Sequence, residues 1–516
     1  MNRRKFVASS VVGAAVVGTA GAQTPPVSAP EDRKHSFERV ILLAEHLSKS
    51  AYQEDKLTLN SAFKDLSYDQ YRGIRFRRSA DPFASQKLTE FGLDLLPPGR
   101  YYQDRVRISI VEKTGESAEI AFNPDFLEFD PNLFVTDNLV FSDDDKAGLS
   151  WSGFRLRFPI NFAEVADEFV VFQGASYFRA VASDTFYGLS ARGLALKTGD
   201  PEGEEFPRFS QFWIYRPQAG ARSIHIDALL ESASVTGAYR FEIFPGLETV
   251  FSIKSHLFPR VNLSKYGIAP LTSMYYFSPC RRQRIDDYRH AVHDSDGLAM
   301  YTGSGARLWR PLTNPASLQF SAFVDQNPQG FGFLQRARAF ADYQDAEARY
   351  EKRPSAWIEP LGDWGRGNVS LIEIPADSEF NDNMIAFWNG AQTLEAGKRY
   401  AFDYQLLWSK SGPQFSQRAK VIASRIGKAV NNPAAYTVII DYQFTQKPAL
   451  ETLQFSVTAN KGRAINGHVL LLPDEQTVRA SFEYYPEKGA AAELQAGIAQ
   501  NGKSVAETWL YRWQAN

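Results

Sequence analysis

The chain has 516 residues, 44% of them hydrophobic and 22% charged, with a formal net charge of −2. That length exceeds one ordinary domain, so two or three domains with a large core are expected. The charge argues against a nucleic-acid partner, and Cys280 as the only cysteine excludes an internal disulfide and a cysteine-based zinc site.

Residues 1–22 read as an export leader. Arg3, Arg4 and Lys5 form a basic start, Val11 to Ala20 a short apolar run, and Ala20-Gly21-Ala22 a small-residue cleavage site. The run is too short to span a bilayer. Asn2-Arg3-Arg4-Lys5-Phe6-Val7 fits a twin-arginine signal, so the mature chain is expected in the periplasm, exported already folded. Residues 25–33, rich in Pro, Ser and charge, read as a flexible lead-in.

Apolar spacing predicts a helix over Phe37 to Ser48, and a second short one over Asn60 to Leu66. Tyr68 to Phe76 switches to strand-like alternation. From there to about residue 280 the chain reads as successive strands at 105–113, 117–122, 154–160, 168–181, 188–196, 209–217, 223–232 and 237–245, with Gly, Pro, Asn and Asp between them. The run Arg281-Arg282-Gln283-Arg284, followed by Asp286 and Asp287, reads as a solvated or salt-bridged strand end. A weak helical signal returns near Asp342 to Glu351. Few helices and many strands predict an all-β chain with a large N-terminal sandwich over 23–390. A linker follows over 391–399, and strands from 400 onward suit an immunoglobulin-like sandwich over 400–516. Aromatics at 14% agree with β-structure, and with sugar contact.

Chemistry concentrates in two stretches. His293 to Pro315 carries Asp294 and Asp296, then Trp309-Arg310-Pro311. Trp357 to Trp388 carries Asp363, Trp364, Arg366, Glu373, Glu379 and Asp382. Carboxylates among flat rings suit a carbohydrate site, where rings stack on sugar faces and carboxyls exchange protons. Each residue also has a plainer role. Asn381-Asp382-Asn383 equally reads as a turn bonding its own backbone. Asp294 and Asp296 are two apart, and spacing does not choose between them as a base. The turn around Asp363 either presents Trp364 and Arg366 to a groove or is a simple loop. The tryptophans divide between core and platform. DSDG at 294–297 resembles the start of a calcium loop, but the later ligands are absent. His290 and His293 suit hydrogen bonds better than metal. No metal and no cofactor are expected, and no G-x-S-x-G elbow or phosphate-binding glycine loop is present.

The segments YDQYRGIRF (68–76), VFQGASYFRAV (171–181), YGLSARGLAL (187–196), HDSDGLAMYTG (293–303), LWRPLTNP (308–315), WIEPLGDWGRGNVSLIEIP (357–375) and NDNMIAFW (381–388) resemble the periplasmic glucan biosynthesis family, proteins G and D. The twin-arginine leader resembles that of the D members. The resemblance implies a galactose mutarotase-like β-sandwich joined to an immunoglobulin-like domain. It implies action on β-1,2-linked glucan, in some members as an inverting endo-glucanase. Carried over, Asp382 would be the general acid and Asp294 the general base, with Glu379 and Tyr350 in support or substrate contact. A functional link to a membrane glucosyltransferase and a homodimer are the partners it implies. A glucan-binding scaffold without catalysis is the competing expectation, and an aldose mutarotase a weaker one from fold analogy alone.

Overall fold

The computed structural model describes residues 34–59, 61–84, 89–134, 141–280, 285–413 and 418–514. The expected leader over 1–22, the lead-in over 25–33 and the basic run at 281–284 lie outside the described residues. Strands make up 50% of the described residues and helices 9%, so the class is all-β.

Two sheets of ten and fifteen strands dominate. They face each other across one aromatic-rich core. Phe154, Phe172 and Phe178 of the smaller sheet meet Phe212, Phe241 and Phe251 of the larger, with ring centroids 5.0, 5.3 and 5.5 Å apart. Such interleaving of inner faces defines a sandwich. The helix Phe37–Ser48 covers the outer face of the strand Val235–Phe244. Its Val40, Ile41 and Ala44 pack on Trp213, Leu229 and Ala238. Val40 and Ile41 are 1% and 3% exposed, and burial of each contributes roughly 1.5–3 kcal/mol. The Ser36 hydroxyl caps this helix by accepting from Arg39 N–H.

The smaller sheet positions the site. In it the strand Tyr177–Ala180 neighbours Ser190–Arg192, which neighbours Tyr266–Ser273, which neighbours Met384–Gly390. Residues far apart in sequence, Arg179, Ser190 and Asp382, thereby reach one sheet end.

Two expectations need correction. Tyr68 to Phe76 is not one strand: Tyr68–Arg72 is a helix and only Ile74–Phe76 is extended. Ser67 and Gln70 form a capping box, which satisfies two N-terminal donors and outweighs the weak alternation. The strand Tyr400–Ser409 does not open the second domain. It pairs with Glu248–Pro259 and Ser355–Leu361 inside the fifteen-stranded sheet, and its Tyr404, Leu406 and Trp408 fill the first core. Beyond it lies a second sandwich. One layer is the sheet of Lys420–Ala429, Asn432–Gln443, Thr477–Tyr485 and Arg463–Leu471. The other is Leu453–Ala459, Ala492–Gln500 and Thr508–Trp513. Phe482 meets Trp509, and Tyr484 meets Trp513, between the layers. This second layer continues the large sheet through parallel pairing of Leu308 with Thr508 and Trp309 with Trp509, so the two sandwiches share one hydrogen-bonded seam.

Candidate active site

Asn381-Asp382-Asn383 leads into the strand Met384–Gly390. Asn383 is 2% exposed. Its Oδ1 accepts from Tyr275 N–H at 2.8 Å, and its Nδ2 donates to the carbonyls of Tyr275 and Ile374 at 2.9 and 3.0 Å. The amide is spent on backbone across neighbouring strands rather than on its own turn, which fixes the chain one residue from Asp382. Asp382 keeps 23% of its side chain exposed. Arg179 Nη2 lies 3.4 Å from its Oδ2 and Ser190 Oγ 3.5 Å. Arg179 Nε donates to Ser190 Oγ at 2.7 Å, so serine and arginine hold each other. Burial raises the Asp382 pKa; Arg179 and Arg192 pull against that rise.

Asp294 is 8% exposed. Burial pushes its pKa up to about 6, with Arg353 opposing and the charge of Asp382 adding. Arg353 Nε is 3.3 Å from Asp294 Oδ1, but neither atom has a hydrogen-bond partner among the described residues, so this is charge proximity without a formed bond. Asp296 is committed elsewhere. Its Oδ2 accepts the backbone N–H groups of Arg336 and Ala337 at 2.5 and 2.9 Å, which makes it a clamp on that segment. Asp296 thus has one oxygen tied to backbone and the other 3.5 Å from His293 Nε2, whereas Asp294 is buried with its Oδ1 unbonded. Tyr350 is 3% exposed with Arg353 over its ring at 5.3 Å. Burial first, then Glu379 and Asp294, raise its pKa. Glu379 lies 2.6 Å from Arg289 Nη2, and that arginine also holds Asp287 and Asp345, each at 2.8 Å. Asp294, Tyr350, Glu379 and Asp382 thus form one electrostatic group with Arg179, Arg289 and Arg353 among them.

A cleft of about 840 Å³ is lined by Asp382 and Arg179 of this group. Tyr177, Tyr68, Arg100 and Tyr101 also line it. Tyr68 and Tyr101 are 62% and 82% exposed, and Arg100 stacks over both rings at 5.6 and 5.3 Å. Exposed rings ordered by an arginine suit the faces of sugars. Asp294 is not part of the cleft wall. Among the described residues no three His, Cys, Asp or Glu side chains are grouped to hold a metal ion.

A family model described as "Periplasmic glucan biosynthesis protein, MdoG" matches residues 35–513. The chain belongs to this family. Glucans biosynthesis protein G of Vibrio cholerae serotype O1 is 44% identical over 477 residues, which cover 92% of this chain and 86% of that protein. The protein of the same name from Shewanella frigidimarina is 42% identical over 480 residues, covering 92% and 84%. That of Shewanella putrefaciens is 43% identical over 478 residues, covering 92% and 86%.

The tryptophans of the two carboxylate-rich stretches are not exposed platforms. Trp309, Trp357, Trp364 and Trp388 are all buried, at 3%, 2%, 6% and 0% exposure. Three of them lie against glycines of neighbouring strands. A Cβ on Gly297, Gly330 or Gly367 would fall 2.4, 2.4 and 2.5 Å from the indoles of Trp309, Trp357 and Trp388. Large ring and absent side chain fill one space, which is a packing device. Trp364 closes a corner where the chain crosses from one large sheet to the other, among Trp388, Phe402 and Tyr404. Asp363 accepts from Gly365 N–H at 2.7 Å, and Asp363 and Arg366 face solvent rather than the cleft. Arg310 is 1% exposed and its Nη2 donates to Glu373 at 2.9 Å. Thr313 adds two donors to the same carboxylate, so that pair braces the core.

The sequence reading did not single out Arg179, Ser190, Arg353 or the exposed tyrosines. Arg179 had a signal: Tyr177 and Arg179 alternate with the buried Phe178 and Ala180, a polar face on an otherwise apolar strand. Arg353, in irregular chain after the turn Tyr350–Lys352, had none.

Proposed function

We propose that the protein is an inverting endo-β-1,2-glucanase acting in the periplasm, within the glucan biosynthesis that its family description names. The observation that supports this most is a pair of carboxyl groups, Asp294 and Asp382, both raised in pKa and each feeling an arginine, with Asp382 on the wall of a sugar-sized cleft. Asp382 donates its proton to the glycosidic oxygen as the C1–O bond breaks. Water attacks C1 from the opposite face and its proton passes to Asp294. Because Asp294 is not on the cleft wall, that proton travels through an intervening water. A pKa of about 6 leaves Asp294 mostly ionised at neutral pH and still basic enough to accept. Tyr68 and Tyr101 supply stacking surfaces. Export through the twin-arginine pathway with a cleaved leader, a functional link to a membrane glucosyltransferase, and a homodimer complete the proposal.

The test is incubation of the purified mature protein with linear β-1,2-glucan, following short products and their anomeric form. Inverted products that vanish in a folded Asp382→Asn variant support the reading. Binding with no products at any sensitivity overturns it.

A non-catalytic glucan scaffold is the second reading. Arg179 beside Asp382 favours the ionised carboxyl, which suits a hydrogen-bond acceptor for sugar better than an acid. The relatives are also named for biosynthesis. Under it, Asp382→Asn weakens binding and changes no chemistry.

A further inference from the structure

Away from the cleft, a cavity of about 340 Å³ lies at the seam between the two sandwiches. Arg307, Arg336, Arg338, Lys410, Arg418 and Lys420 line it, and Glu507 is the one acidic side chain on its wall among the described residues. It shares no lining residue with the cleft around Asp382. Its wall is predominantly cationic. Glu507 is fully engaged: both oxygens hold Arg336 at 2.7 Å, and one also accepts from Val421 N–H at 2.8 Å. Lys410 turns to Asp184, which is not on the cavity wall. Arg338 is spent on the carbonyls of Glu351 and Arg353.

Lys420 is different. It is half-buried, and its ammonium has no hydrogen-bond or ion-pair partner among the described residues. Burial and the neighbouring Arg336 lower its pKa. A half-buried ammonium beside the Arg336 guanidinium, with Glu507 already bonded to that arginine, costs electrostatic energy unless an anion enters, because like charges in a partly enclosed space are weakly screened. Arginine forks and a lysine ammonium together match a tetrahedral oxyanion. The volume sits at the small end of ligand cavities, roughly 300–1,000 Å³, which admits a phosphate with a small organic group and excludes a polymer.

We propose that this cavity binds a phosphate group, as inorganic phosphate or as the ester of a small molecule, and that the bound anion ties the two sandwiches together. The walls support the second clause: Arg307 and Arg336 come from the large sandwich side, and Arg418 and Lys420 from the start of the second.

The test is calorimetric titration of the full mature protein with inorganic phosphate and with glucose 6-phosphate, at constant ionic strength maintained with chloride. Saturable binding near one per chain is expected, with a rise in Tm. Tighter binding of the ester would identify an ester as the source; equal or tighter binding of inorganic phosphate would identify the free ion. Lys420→Gln should weaken binding about tenfold or more, the loss expected for one charge-assisted hydrogen bond, while Lys420→Arg keeps it. If circular dichroism shows Lys420→Gln unfolded, Arg418→Gln serves as the same reading. The proposal is overturned by the absence of saturable binding of either compound, or by binding that a folded Lys420→Gln or Arg418→Gln variant leaves unchanged.

Discussion

Replacing Asp294 with Asn should make the protein more stable while removing its proposed activity. Burial raises the folded-state pKa of Asp294 from 3.8 to about 6, net of the opposing pull of Arg353. Between those values the unfolded chain has lost the proton and the folded chain has kept it. The unfolded state therefore binds fewer protons, and stability falls as pH rises through the window. The difference, at about 1.4 kcal/mol per pH unit, comes to about 3 kcal/mol at neutral pH. Asn is close in shape to the protonated acid and never ionises. The variant should exceed the wild type by about 0.5 kcal/mol at pH 4 and about 3 kcal/mol at pH 7.5, with a plateau above that. Urea unfolding followed by tryptophan fluorescence at both pH values measures it, since the shift in midpoint times the slope gives the free-energy difference. The same preparation should release no product from β-1,2-glucan. A stability difference that does not change between pH 4 and pH 7.5, or a variant weaker than wild type at pH 7.5, would refute the reasoning that Asp294 carries an uncompensated buried charge.

Other substitutions separate structural from functional residues. Arg310→Met strands the buried Glu373 carboxylate and should cost about 3–5 kcal/mol, read as a lowered urea midpoint. Trp357→Ala should cost about 3–5 kcal/mol through its cavity and reduce glucan binding only where the protein has unfolded. Tyr101→Ala should leave the midpoint within about 0.5 kcal/mol yet weaken glucan affinity severalfold in a titration, because that ring is exposed on the cleft. Asn383→Ala leaves three buried backbone groups without their partner. It should lower stability by about 3 kcal/mol and slow turnover about a hundredfold at a temperature where it remains folded, by displacing Asp382.

Strand content and the division into two sandwiches are written in local alternation, which is why the runs at 154–160, 209–217 and 237–245 read correctly. The boundary between the domains is not local. Tyr400–Ser409 has the pattern of any half-buried strand, and only pairing with Glu248–Pro259, some 150 positions earlier in the chain, assigns it to the first core. The tryptophans illustrate the same limit. Trp309 follows Gly297 by twelve positions, and nothing in that spacing says the ring will lie on that glycine; antiparallel pairing of Gly297–Tyr301 with Arg307–Pro311 puts it there. A tryptophan beside carboxylates in sequence is therefore weak evidence for a sugar platform. An exposed tyrosine beside an arginine, as at Arg100-Tyr101, is better placed for one. The choice between Asp294 and Asp296 depended on long-range structure too. Each is two residues from the other and chemically identical, but Asp296 gives one oxygen to the backbone N–H groups of Arg336 and Ala337, while Asp294 is buried with its Oδ1 unbonded and its pKa raised. Which carboxylate is buried with a perturbed pKa is a property of packing that no linear spacing encodes.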